Sequence, residues 1–179
     1  MPAFVLPDAW GAGHVSERLS GPKGCLVVFA CNHCPYVVHL ADLLGVMAAE
    51  FLEAGVTTVA IVSNDLEAYP QDGPEPMKAF AAAHGWDFPY LIDETQEVAL
   101  TFRAACTPDF FLFDAGGCLA YAGQFDGTRP GSKESPDGLD LREAVQRILS
   151  GNAVPDGVPA SGCSIKWKPG KQPEWWNKG

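Results

Sequence analysis

Positive charge is scarce in this chain. Lys plus Arg number 12 against 22 Asp plus Glu, a formal net charge of -10. That shortage argues against nucleic acid as a partner, because phosphate binding needs a basic face. It also disfavours an anionic membrane surface. Long apolar runs are lacking too, and none approaches the ~20 residues of a membrane span. The opening Met1-Pro2-Ala3-Phe4-Val5-Leu6-Pro7-Asp8 has neither the basic start nor the long apolar core of a secretory leader. The expectation is a cytoplasmic chain whose thiols are kept reduced. Only one C-x-x-C is present, where a structural zinc site is commonly built from two such pairs. No His follows it directly, so covalent haem attachment is unsupported. No internal repeat is visible, and no bound cofactor is expected.

What the chain does have is material for a core and six cysteines. With 179 residues, 47% of them hydrophobic, it is most simply one domain. A chain of that length buries roughly two-thirds of its unfolded surface and needs no staples. Six cysteines in a reducing compartment point to catalysis, redox sensing or metal binding. Two of them, Cys31 and Cys34, flank Asn32-His33. They follow the apolar run Leu26-Val27-Val28-Phe29-Ala30 and precede Pro35-Tyr36-Val37-Val38, which opens a helical pattern. A helix N-terminus offers roughly half a positive charge and unpaired N–H groups. Both are expected to stabilise a thiolate on Cys31. Cys34 is close enough to close a small disulfide ring, and the two make a two-electron redox switch. An imidazolium on His33 would stabilise the thiolate and make the disulfide more oxidising.

Along the chain, residues 25–30 read as a strand buried on both faces, since the run is continuous rather than alternating. Apolar residues recur at helical spacing over 34–54, and Gly55 supplies the stop. Residues 56–62 form a second buried strand, and 63–76 a polar loop at its C-terminal end, where open parallel sheets place their sites. Then follow a helix over 75–84, a short strand at 88–92, a helix over 94–104, a strand at 109–114, a hairpin partner at 118–124 and a last helix over 139–149. Strands alternating with helices predict an α/β fold, a mixed sheet with helices on both faces. Residues 151–179 carry three of the five tryptophans and no periodicity. They are either wrapped on the domain or partly disordered. Wrapping is the expectation, because exposed tryptophans are a liability.

Cys31-Asn32-His33-Cys34 followed by Thr107-Pro108 resembles the thioredoxin superfamily. More narrowly, the chain is similar to thioredoxin-like proteins related to the alkyl hydroperoxide reductase and thiol-specific antioxidant (redoxin) group. The matching blocks also include Val62-Ser63-Asn64-Asp65, Gly123-Gln124 and Gly162-Cys163-Ser164-Ile165-Lys166-Trp167. The resemblance implies a thioredoxin-like domain over 1–150 with an N-terminal extension and an inserted strand–helix unit, and a C-terminal extension over 151–179. It assigns attack on a substrate disulfide to Cys31 and resolution to Cys34. It makes Pro108 a cis-proline facing the pair and leaves the backbone of Thr107 free to pair with an extended substrate. Thioredoxins carry a buried aspartate six residues before the first cysteine. Here Cys25 stands there, so the proton relay falls to Asp109 or to the Ser63-Asn64-Asp65 loop. Peroxiredoxins place Thr or Ser three residues before the reactive cysteine. Val28 and Cys31 occupy those places here, and neither supplies the hydroxyl.

Other cysteines carry two readings each. Cys106 either exchanges with the pair or packs as a small apolar residue. Cys163 either serves as a third redox partner or anchors the tail. Cys25 and Cys118 are expected in the core. His39 and His84 are expected as surface or capping residues, and Lys166, Lys168, Lys171 and Lys178 as a solvated face. The first functional expectation is a thiol–disulfide oxidoreductase acting on a protein or small-molecule disulfide and recycled by a separate reductase. The second is a peroxide reductase. The third is a non-enzymatic soft-metal or redox-sensing protein, since thiolates favour Cu(I) and zinc.

Overall fold

A computed structural model describes residues 1–175; Trp176 and Lys178 lie outside the described residues. The chain opens with an antiparallel hairpin of β1 (Val5–Pro7) and β2 (Gly13–Val15). A single 3-10 turn follows at Ser16–Arg18. β3 (Gly24–Phe29) then runs into α1 (Pro35–Glu53), and β4 (Val56–Val62) lies parallel to β3. After α2 (Pro74–Ala83) comes β5 (Tyr90–Ile92), parallel to β4, and then α3 (Glu97–Phe102). β6 (Cys106–Thr107) precedes the hairpin of β7 (Asp109–Asp114) and β8 (Leu119–Gly123). α4 (Leu139–Leu149) closes the expected set, and β9 (Cys163–Ser164) is an addition. The five-stranded sheet has the order β5-β4-β3-β7-β8, with β7 antiparallel to β3, so it is mixed as expected.

Alternation along each strand divides the core in two. Leu26, Val28, Ala60, Val62, Phe110 and Leu112 face α1, α2 and α4. Val27, Phe29, Val59, Ile61, Phe111 and Phe113 face α3, the N-terminal Phe4 and Leu6, and Ile165 and Trp167 of the tail. β3 is buried at every residue, which is why its sequence shows no polar alternation. Gly55 ends α1 with φ +91°, a left-handed conformation that costs a glycine little.

Three expectations are corrected. α1 is long and apolar enough, by length and composition, to cross a membrane, although no unbroken apolar run showed it. Its apolar stripe, Val37, Leu40, Ala41, Leu44 and Met47 among others, packs on the sheet. Cys118 is exposed rather than in the core. The turn after β7 extends to it, with the Cys118 N–H donating to Asp114 Oδ1 at 2.9 Å, so β8 starts one residue later. The helix expected over 94–104 is shortened because Gln96 and Arg103 adopt left-handed conformations at its two ends.

Candidate active site

β3 delivers Cys31 to the C-terminal edge of the sheet, and Cys34 is the N-cap of α1, with Pro35 at the first helical position. A proline there gives up only an N–H that the helix would leave unpaired. Both thiols are free and buried. The two sulfurs act electrostatically on each other, and both meet Thr107. The Thr107–Pro108 peptide is cis and lies across the pair. Thr107 Oγ1 is 3.5 Å from Cys31 Sγ, and the Thr107 carbonyl oxygen is 3.0 Å from Cys34 Sγ.

Electrostatics treat the two sulfurs unequally. Cys31 is pushed up by Cys34, by burial and by the Asp72 carboxylate. Cys34 is lowered to about 4. The Cys31 thiol lowers it most, against the opposing effect of burial, followed by the Thr107 hydroxyl and the N–H groups of Cys163 and Val37. The contact with the Thr107 carbonyl oxygen pulls the other way, since an S–H donates there and a thiolate does not. Against that one carbonyl, several converging donors favour the ionised form of Cys34. The electropositive helix end thus serves Cys34, because that residue, not Cys31, is the cap.

On the far side of Cys31 stands a group the sequence reading missed. Asp72 is fully buried in the loop after β4, and its Oδ2 is 2.8 Å from His33 Nδ1. That is ion-pair distance without the alignment of a hydrogen bond, and Nδ1 has no other partner. Asp72 Oδ1 accepts the Asn32 N–H at 2.9 Å, and Oδ2 accepts from Asn64 Nδ2 at 2.9 Å. The signal available in the sequence was the loop's place at a strand's C-terminal end; nothing singled out Asp72 within it. Tyr90, held protonated first by burial and then by Cys31 and Asp72, donates its O–H to Asn32 Oδ1 at 3.1 Å. His33 itself stacks on Tyr69, with ring centroids 5.7 Å apart.

Cys31, His33 and Asp72 place one ligand atom each within 4.8 Å of one another, the only such trio among the described residues. Both carboxylate oxygens of Asp72 already accept N–H groups, which leaves the trio poorly suited to a metal. Asp109 is buried and its carboxyl is pushed up to about 7 by burial. Its Oδ2 accepts the Ala105 N–H, within its own loop. Cys106 turns to its own loop as well, its thiol donating to the Pro108 carbonyl at 3.5 Å. Burial, then Asp109, hold it protonated. His39 Nε2 meets Thr128 Oγ1 at 2.9 Å, and His84 caps α2 with Nδ1 2.6 Å from Asp42.

The strand edge expected to be free is taken. β9 pairs antiparallel with β6, Thr107 opposite Cys163 and Cys106 opposite Ser164. Asn64 Oδ1 accepts the Lys166 N–H, and Gln96 donates to the Lys166 carbonyl and accepts the Lys168 N–H. Ile165 and Trp167 are buried beneath. The tail therefore roofs Cys34, while Asn32, His33 and Asp72 flank Cys31.

The AhpC/TSA family model matches residues 1–122. Among solved structures, a hypothetical protein from Sinorhizobium meliloti 1021 is 44% identical, with a TM-score of 0.91 over 94% of this chain and 93% of that one. An uncharacterised conserved protein from Geobacillus kaustophilus is also 44% identical, with a TM-score of 0.90 over 94% of this chain and 90% of that one. A secreted Mycobacterium tuberculosis disulfide oxidoreductase shares the fold at 19% identity, with a TM-score of 0.61 over 80% of this chain and 94% of that one. No curated protein matches the chain in sequence.

Proposed function

The chain belongs to the AhpC/TSA family and has a thioredoxin-like redoxin fold, and from that premise we propose a thiol–disulfide oxidoreductase that cycles Cys31 and Cys34 between dithiol and disulfide. The observation that carries this reading is the two free, buried sulfurs at the start of α1, both in contact with Thr107 just before the cis-proline. Cys31 attacks, because Cys34 lies under the tail. As it attacks, its proton passes to the Cys34 thiolate. The Cys31 sulfur bonds one sulfur of the substrate disulfide, and the other leaves as a thiolate. Cys34 then attacks Cys31, gives its proton to solvent, and releases the second substrate thiolate. Exchange of this kind is fastest where the attacking thiol titrates near the ambient pH and the leaving thiol is acidic. His33, set against Asp72, brings a ring nitrogen within 4.8 Å of the Cys31 sulfur.

Cys31→Ser is expected to abolish reduction of a model protein disulfide, and Cys34→Ser to trap a mixed disulfide visible by mass. Full activity in the Cys31→Ser chain would refute the assignment.

A second reading is favoured by one contact. The Thr107 hydroxyl, 3.5 Å from Cys31 Sγ, supplies from another loop the group that Val28 lacks. A hydroperoxide held there would transfer an oxygen to Cys31, leaving as alcohol or water, and Cys34 would condense with the sulfenic acid to release water. Peroxide consumption coupled to a dithiol reductant distinguishes this from disulfide exchange, and loss of it in Thr107→Val with disulfide reduction retained would favour it.

A further inference from the structure

We propose that Cys163 is a third redox thiol, which the chain's own C-terminal strand holds beside Cys34 and which exchanges with the Cys31–Cys34 disulfide. The inference rests on the reading of Cys31 and Cys34 as a redox pair. It is carried by how the tail is seated. β9 lays Cys163 opposite Thr107, the residue before the cis-proline, so backbone pairing fixes where its side chain falls. Cys34 Sγ lies 3.0 Å from the carbonyl oxygen of that same Thr107, Cys163 packs against the core cluster that holds Cys31 and Cys34, and its thiol acts electrostatically on Cys34. Gly162 lies against the Thr107 carbonyl so closely that any Cβ would collide with it. Cys163 is partly exposed, whereas Cys31 and Cys34 are buried. It is therefore the sulfur of the three that an outside thiol reaches first.

The exchange balances without a further reactant. The Cys163 thiolate attacks Cys34 Sγ of the Cys31–Cys34 disulfide. The Cys34–Cys163 bond forms, the Cys31–Cys34 bond breaks, and the electron pair leaves on Cys31, which takes up the proton that Cys163 gave to solvent. One disulfide and one thiol stand on each side. In the reduced site burial first, and then Cys34, push the Cys163 thiol up to about 11, with Lys166 pulling the other way. Once Cys34 is in a disulfide its charge is gone, which leaves burial opposed by the Lys166 ammonium. The third thiol thus becomes more reactive when there is a disulfide to receive it. Cys106 does not compete, being turned to the Pro108 carbonyl and held protonated.

The test uses the full chain, reduced and then oxidised with limiting diamide, alkylated in denaturant and mapped by peptide mass. The wild type is expected to yield both Cys31–Cys34 and Cys34–Cys163 links. Cys163→Ser is expected to yield only the first, and Cys31→Ser only the second, with loss of Cys163 alkylation. Cys31→Ala, mapped the same way, guards against a serine that misfolds. Cys163 left free, or linked to Cys106, in both Cys31 variants overturns the proposal, while the pair stands if Cys31–Cys34 still forms in Cys163→Ser. If Cys31–Cys34 fails to form in a folded Cys163→Ser chain, the underlying pair falls, and the proposal with it.

Discussion

Two buried aspartates set how single side chains answer to pH. After Cys34 and burial, the Asp72 carboxylate is the next cause that keeps Cys31 protonated. In Asp72→Asn the amide oxygen can still accept the Asn32 N–H, but the charge is gone. The pH at which Cys31 becomes alkylated by iodoacetamide should then fall by roughly 1–3 units. An unmoved profile would show that the carboxylate does not act on Cys31. Asp109 works in the opposite sense, on stability. Burial pushes its carboxyl up to about 7 in the folded chain, from the ordinary 3.8. Below the lower value both states are protonated and the carboxyl adds no pH-dependent cost. Between the two, the unfolded chain ionises while the folded one keeps its proton, so stability falls as pH rises, by up to ~4 kcal/mol at the plateau. Asp109→Asn should flatten urea-denaturation stability between those limits and raise it at pH 8. A variant that keeps the wild-type slope would rule the carboxyl out as its source.

Elements with a repeat were legible, and those without were not. α4 occupies the span its apolar spacing predicts, and β3 and α1 bracket the two cysteines as their pattern requires. Asp72 stayed hidden because a buried carboxylate in a proline-rich loop looks like any solvated acid until its partners are placed. β9 stayed hidden for a related reason: two residues pairing with two others leave no period to read. The helix end expected to serve Cys31 has Cys34 as its cap residue. The seating of the tail depends instead on single anchors. Gln96 sits at φ +65°, which a non-glycine residue adopts at a cost, and its amide reaches the Ser63 and Lys166 carbonyls at 2.7 and 3.0 Å. Gln96→Ala removes those donors and should destabilise the tail's seating by roughly 1–3 kcal/mol. Hydrogen exchange of the amides of residues 163–168 should accelerate by about 10-fold or more, while exchange in β3 stays unchanged. Uniform acceleration throughout would show that the residue supports the whole domain instead.

At the scale of the molecule, the sheet separates two apolar layers that meet the solvent through different covers. One layer is closed by three helices, the other by α3, the N-terminal residues and the tail. The division followed from the sequence, because β3 and β4 are apolar on both sides and only a double-sided cover can bury them. That a late segment completes the second layer was suggested only by its tryptophans. Asn64 ties this cover to the thiol chemistry. One end of its amide holds Asp72 and the other holds Lys166, so lifting the tail disturbs the carboxylate beside His33. The same seating has a cost if the chain is cut. Proteolytic clipping ahead of Gly162 would strip the apolar shelf of Ile165 and Trp167 and bare the unmatched amides of residues 106–107, an adhesive seam through which one clipped molecule would recruit another.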